Sequence, residues 1–316
     1  MPASHPRTGG VTVVMPVCGN EDTVLQALRS VERQTRPPEA VVVVDDGSKD
    51  RSADLVAEHF PAARLIRQEN SGPAAARNTG WRLAETEWVA FLDADDTWEP
   101  AKLETQLRAS HLLPTLGLVA CNWVPPGAAP GGTTGSRPKV AYRLRALDLL
   151  LLNRFQTSTV LVRTDVLEKT GGFDPALDGT EDWDLWLRCT RQCDVVNLEA
   201  ALVRYRDSPN SYSKDGERYR ASMRRMLARE LPTSGLSDMR QAEIRAWHEL
   251  RLAVALLLRR RHGPARAAFA ETFRSDPAAT LAATGRYLVP FLLRRKLRRI
   301  RPVQPLRLGR GATLEL

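Results

Sequence analysis

With 316 residues, 43% of them hydrophobic, the chain is long enough to bury one large domain and a smaller appendage. Its four cysteines (Cys18, Cys121, Cys189 and Cys193) are few for this length and lack metal-ligand spacing, which reads as reduced core thiols in a cytosolic protein. No uninterrupted apolar run reaches about 18 residues, and the first eight residues carry no apolar core of a secretion signal, so neither a spanning helix nor export is expected.

Val11 to Pro16 is apolar and β-branched, and residues 23–34 then carry Val24, Leu25, Leu28 and Val31 at helical spacing, so a strand and a helix are expected. Ala40 to Val44 reads as a second buried strand ending in Asp45-Asp46-Gly47-Ser48, followed by an amphipathic helix over 52–60 and a short strand over 64–67. This alternation predicts a mostly parallel α/β sheet covered on both faces, whose ligands bind beyond the carboxyl ends of the strands.

Trp88 to Leu92 is a further buried strand, and it stops in Asp93-Ala94-Asp95-Asp96. Burying that much uncompensated charge is costly, so these carboxylates must meet water or a cation. Asp93 and Asp95 are two apart and point the same way in an extended segment, where both can hold one hard divalent ion, Mn or Mg, that fills its other positions with water and phosphate oxygens. A helix over 100–112 and a strand over 116–123 follow, then a Pro- and Gly-rich surface loop to about 138. Residues 147–152 form an apolar helix face, 159–162 a strand, 171–175 a turn, and 195–205 another strand. Glu181-Asp182-Trp183-Asp184 opens a helix with acids in its first turn.

From about residue 217 the pattern is helical, with one helix hairpin over 242–277. The charge divides sharply: residues 214–316 carry 23 Lys and Arg against 9 Asp and Glu, and residues 1–213 carry 23 against 28. Two units are expected, 1–213 and a basic helical extension over 214–316. Apolar 288–293 runs into basic 294–301, and 252–258 runs into Arg259-Arg260-Arg261, which suits an anionic membrane surface; without aromatic interleaving, nucleic acid is not expected.

Val14-Met15-Pro16-Val17, Val43 to Asp50, Asn70 to Asn78, Phe91 to Asp96, Gly171-Gly172-Phe173-Asp174 and Glu181 to Trp186 occur in the order and approximate spacing of the family 2 glycosyltransferases, which residues 11–206 resemble. The resemblance implies a GT-A fold, an inverting mechanism, a nucleotide-sugar donor and a divalent metal; the absence of the processive synthases' motif and membrane spans favours single, non-processive addition to a glycan or lipid-linked acceptor, which the basic tail would let the enzyme meet at the inner face of the cytoplasmic membrane. By position, Pro16, Asp45, Asp46, Arg77 and Asp93 resemble donor-binding residues, with Asp46 accepting from the base and Asp45 holding the turn. Asp95, assisted by Asp93, resembles the metal acid; Asp182 resembles the catalytic base, with Glu181 the competing candidate. Asp96 is expected to cap a turn and Asp184 to pair locally; Trp183 and Trp186 could form a sugar platform, with core packing the expectation for at least one of them. Three features depart from relatives: Cys18 stands where many carry an aromatic, no histidine follows Arg206, and the Gln-x-x-Arg-Trp motif of processive synthases is absent. A nucleotide-sugar-binding protein without activity and a sugar-phosphate nucleotidyltransferase are the alternatives; the loop Cys18-Gly19-Asn20-Glu21 lacks the Gly-rich, lysine-bearing signature of the latter.

Overall fold

The computed structural model describes residues 8–124, 140–206, 216–298 and 313–315. The loop expected up to 138 and the end of the basic run at 299–301 lie outside the described residues. In chain order the elements are β1 (Thr8–Val17), α1 (Val24–Glu32), β2 (Ala40–Asp46), α2 (Ser52–His59), β3 (Arg64–Gln68), α3 (Pro73–Trp81), β4 (Thr86–Phe91), β5 (Thr97–Trp98), α4 (Lys102–Ala109), β6 (Leu116–Val124), β7 (Val140–Leu144), α5 (Ala146–Leu151), β8 (Leu161–Arg163), α6 (Thr164–Thr170), α7 (Glu181–Cys189) and β9 (Asp194–Arg204). After these come α8 (Gly216–Glu230), α9 (Asp238–Leu258), α10 (His262–Ser275), α11 (Pro277–Ala283), α12 (Val289–Arg298) and β10 (Thr313–Glu315).

The chain divides into two compact units, one of residues 1–145, 153–214 and 311–316, the other of residues 146–152 and 215–310. A single boundary near 213 leaves 146–152 with the first unit; the structure groups them with the second, because α5 packs its leucines on α9.

The first unit is built on one sheet in the order β10-β7-β9-β6-β8-β4-β1-β2-β3, with β5 paired to β9. β1 pairs in parallel with both β2 and β4, and β2 with β3. The β8, β7 and β10 pairings are antiparallel, and β9 lies parallel to β6. β1 and β2 are buried on both faces, which explains why their apolar runs do not alternate with polar residues. Val11, Val13, Met15 and Val17 join α1 and the β4 residues Trp88 and Ala90 in the main core, while Val42, Val44 and Ala76 pack on the opposite face. Gly80 lets α3 approach the sheet: a Cβ there would stand 2.4 Å from Val14 Cγ1. Because β1, β2 and β4 are parallel and in register, with Val17 beside Asp45 and Val14 beside Phe91, their carboxyl ends share one edge.

Among the described residues the second unit is helical, without strands. α9 and α10 pack as a hairpin; Trp247 of α9 meets Tyr287 and Phe291 at 5.8 and 5.5 Å between ring centroids, and its Nε1 donates to Leu151 O at 2.8 Å. Among the described residues no helix is long and apolar enough to cross a membrane.

Candidate active site

A cavity of about 430 Å³ opens at the shared strand edge of the first unit, and Pro16, Asp46, Arg77, Asp93, Asp95, Glu181 and Asp182 all line it. Asp45 does not line it: its Oδ1 accepts the Ser48 N–H at 3.0 Å and closes the turn. Asp46 accepts three hydrogen bonds from the chain, from Gln68 Nε2 (2.8 Å) and Ser71 N (2.9 Å) at Oδ1 and from Gly72 N (2.8 Å) at Oδ2. It therefore fixes the loop that enters α3 as well as facing the cavity. Around the same wall the loops after β1 and β2 cap each other: Gly19 N donates to Ser48 Oγ, Asn20 N to Ser52 Oγ, Glu21 N to Asp50, and Arg51 N to Glu21. Cys18 sits on this wall with Asn70 Nδ2 at 3.2 Å from its sulfur; partial burial and the charge of Asp46 hold its thiol above the ordinary value.

Arg77, 6% exposed, is the charge hub. It donates from Nη2 to Asp93 Oδ1 (2.7 Å) and from Nη1 to Glu181 Oε1 (3.1 Å), and its guanidinium lies 5.4 Å from the Phe173 ring centre. Burial works against its charge, but Asp93 and Glu181 outweigh that and hold its pKa above the ordinary value. The expected donor-binding arginine is thus already tied to two carboxylates while it lines the cavity.

The two acids opening α7 differ in chemistry. Glu181 gives Oε1 to Arg77 and Oε2 to the Gly179 N–H (2.8 Å), so both of its oxygens are engaged, one by a full charge. Asp182 receives neutral donors, Asn153 Nδ2 at 3.2 Å and the Trp183 N–H. Burial first, then the negative charge of Glu181, push its pKa up to about 7 against the pull of Arg77. That places it where a general base works at neutral pH. Asp184 pairs with Arg188 at 2.8 Å. Trp183 and Trp186 are 1% and 0% exposed, so neither is a sugar platform; Trp186 packs against Phe155 and Phe173.

Asp95 is pushed up to about 6 by burial and by the neighbouring charge of Asp93. Two carboxylates of one sign crowded at a strand end match a hard divalent cation, whose charge would offset their repulsion and whose other positions water and phosphate oxygens would fill. Among the described residues no group of three or more His, Cys, Asp or Glu forms a metal-holding set. Asp96 points the other way. It is 1% exposed, accepts from Ser158 Oγ (2.6 Å) and Arg206 N (2.9 Å), and is pushed up to about 8 by burial and by Asp93. It ties the end of β4 to the segments at 158 and 206, and Ser158 Oγ in turn accepts the Asp93 N–H at 3.0 Å.

Four residues absent from the sequence-derived set belong to this site. Arg206 lines the cavity near Asp95; Asn153, Ser158 and Asn78 hold Asp182, Asp93 and Phe173. Their partners lie between 29 and 111 residues away, where no local pattern marks them; Arg206, next to an expected strand end, is the one with a readable signal.

A parallel half-sheet with carboxylates at its strand ends, completed by antiparallel strands and by an acid-led helix, is the GT-A class of α/β fold. The chain belongs to glycosyl transferase family 2, whose model matches residues 12–169. It is 26% identical over 201 residues to an uncharacterized glycosyltransferase of Rickettsia typhi, covering 62% of this chain and 63% of that protein. It is 34% identical over 202 residues to the pre-mycofactocin glycosyltransferase of Mycobacterium tuberculosis, covering 59% of this chain and 40% of that one. The chain thus spans less than two thirds of the length of these relatives. Two solved structures share the fold: Staphylococcus aureus TarS 1–349 in complex with UDP-GlcNAc (TM-score 0.59, 21% identity, 75% of this chain and 70% of that one), and the mannosyltransferase PcManGT from Pyrobaculum calidifontis in complex with GDP-Man and Mn2+ (TM-score 0.59, 23% identity, 93% and 84%).

Proposed function

We propose that the protein is an inverting, non-processive glycosyltransferase that moves one sugar from a nucleotide-sugar donor to a hydroxyl of a glycan or lipid-linked acceptor. The observation that carries this reading is the presence, in one cavity, of the Asp93/Asp95 pair and of Asp182, a carboxylate whose pKa is pushed up to about 7. The wall from Pro16 to Asp46 and Asn70 would take the nucleoside; Asp93 and Asp95 would hold Mn or Mg, which when bound offsets the charge developing on the leaving diphosphate. Asp182 takes the proton of the acceptor hydroxyl as its oxygen attacks the anomeric carbon opposite the diphosphate; the C–O bond to the donor phosphate breaks, and the proton leaves from Asp182 to water. Arg77 keeps Asp93 and Glu181 apart in charge, so that Asp182 can ionise beside Glu181. Inversion requires one carboxylate in the base role, and a second, nucleophilic one is unnecessary.

The reading includes the compartment: a cytoplasmic enzyme, peripheral on the inner face of the cytoplasmic membrane, with the basic helical unit toward the lipid. UDP-, GDP- and dTDP-sugars should be screened for Mn-dependent thermal stabilisation and for release of the nucleoside diphosphate. Stabilisation without turnover, with any acceptor or with water, supports a binding protein instead; pyrophosphate-dependent release of sugar phosphate supports a nucleotidyltransferase.

A further inference from the structure

All the exposed large apolar side chains among the described residues, from Met239 to Leu293, belong to the helical unit. Two of them, Leu257 (45% exposed) and Leu258 (55%), end α9 and lead directly into Arg259, Arg260 and Arg261. Every residue from 257 to 264 is exposed. The turn has a defined geometry. Arg261 N donates to Leu256 O and Arg260 N to Leu257 O, both at 3.0 Å, and Arg260 adopts φ 61°; these bonds close the helix as a Schellman motif, in which glycine usually takes the left-handed position. Among the described residues Arg260 is the one non-glycine with positive φ, and none of the three arginines forms an ion pair. Other arginines of this unit are ion-paired: Arg220 and Arg224 each bind Glu249 and Glu271, and Arg240 and Arg286 share Glu243.

We propose that the α9–α10 turn is a membrane-docking tip, in which Leu257 and Leu258 enter the headgroup boundary of an anionic bilayer while Arg259, Arg260 and Arg261 meet its phosphates. Two adjacent leucines leave about half of their surface in solvent, an unpaired arginine triplet beside them carries charge of the sign an anionic leaflet attracts, and the left-handed arginine keeps a third cation at the apex at the expense of the residue the turn prefers. Apolar insertion backed by basic contacts is the combination that gives reversible surface binding without a spanning helix. The inference rests on the peripheral-membrane part of the proposed function and assigns it to this turn, distinct from the basic run after Leu293.

The test is sedimentation of the full chain with vesicles of phosphatidylcholine alone or with about a third phosphatidylglycerol, at low and raised salt. The full chain is expected to bind the anionic vesicles and not the neutral ones. Arginines near an anionic leaflet contribute about fivefold each, so Arg259→Gln/Arg260→Gly/Arg261→Gln should weaken binding about 100-fold. Arg260→Gly alone, which puts the preferred residue at the turn, should melt no lower than the parent and bind about fivefold less tightly. Leu257→Ser/Leu258→Ser should abolish the fraction of binding that survives raised salt. Arg274→Gln, at the other end of α10, sets the scale for a generic charge loss. If the full chain binds but the tip variants bind as it does, the membrane reading stands and this assignment falls; if the full chain stays unbound at low salt, or binds neutral vesicles equally, both fall.

Discussion

Asn78 holds Phe173 by both of its main-chain groups: Nδ2 donates to the Phe173 carbonyl at 2.7 Å, and Oδ1 accepts the Phe173 N–H at 2.9 Å. The same Oδ1 accepts from Trp81 Nε1 at 2.8 Å. Phe173, locked in this way, stacks edge-on to Phe91 at 5.0 Å and supports the guanidinium of Arg77, so one amide on α3 fixes the segment that leads to α7 and its acids. Gly172, at φ 77°, leaves room for it; a Cβ there would come within 2.4 Å of Asn78 Oδ1.

Asn78→Leu should therefore cost about 2–6 kcal/mol, because it strands two buried main-chain groups that each lose about 1–3 kcal/mol without a partner. Urea unfolding at neutral pH measures this, and a loss under about 0.5 kcal/mol would show that Phe173 is held by packing alone.

Asp95→Asn should separate binding from folding. The carboxylate is already disfavoured by burial and by Asp93, so neutralising it should leave the metal-free melting temperature unchanged or raised at pH 7.5. Manganese-dependent stabilisation by the donor should disappear. Donor affinity equal to the parent's in the presence of manganese would remove Asp95 from the metal role.

Asp182→Asn should keep donor binding and lose transfer by about 100-fold or more. In the parent, kcat/KM should rise with pH about tenfold per unit and level off near pH 7, since the base acts ionised and its pKa is raised to about 7. If Glu181→Gln abolishes transfer while Asp182→Asn does not, the two roles exchange.

His248 gives the helical unit an acid-sensitive point. Its ring is 1% exposed with Nε2 2.8 Å from Leu150 O, and burial, aided by the Arg251 charge, lowers its pKa to about 3. A depressed folded-state pKa means the unfolded chain takes up the proton first, so the stabilisation is complete above the unfolded value of about 6.5 and is lost as pH falls toward 3. Hydrogen exchange of α9 amides should show protection about 2 kcal/mol lower at pH 5 than at pH 7, and His248→Gln should flatten that difference.

The parallel half of the sheet was legible because β1, β2 and β4 are buried on both faces and their residues say so without tertiary information. The strand-end carboxylates were legible for the converse reason: charge directly after a buried run has to face something. What escaped was long-range. β7 follows a segment rich in Pro and Gly and pairs with β9 more than fifty residues on, and α5 reads like any amphipathic helix although it belongs with α9. Nothing near Trp183 and Trp186 distinguishes a sugar platform from core; only the aromatic cluster around Phe173 decides it. Whether Glu181 or Asp182 is free depends on Arg77, 104 residues away from Glu181.

The interlocked wall around Asp46, Ser48, Ser52 and Asn20 bears on the timing of donor capture. Its loops are ordered by their own side chains, so the entropy of arranging them is lost during folding and is not lost again at each encounter. Capture at this wall should follow single-step kinetics, with an observed rate that rises linearly with donor concentration and no plateau from a preceding rearrangement. Ser48→Ala and Ser52→Ala, which loosen the wall without touching its charges, would then slow association far more than they hasten escape, and a nucleotide of the wrong shape would be turned away by misfit rather than by failure to induce closure.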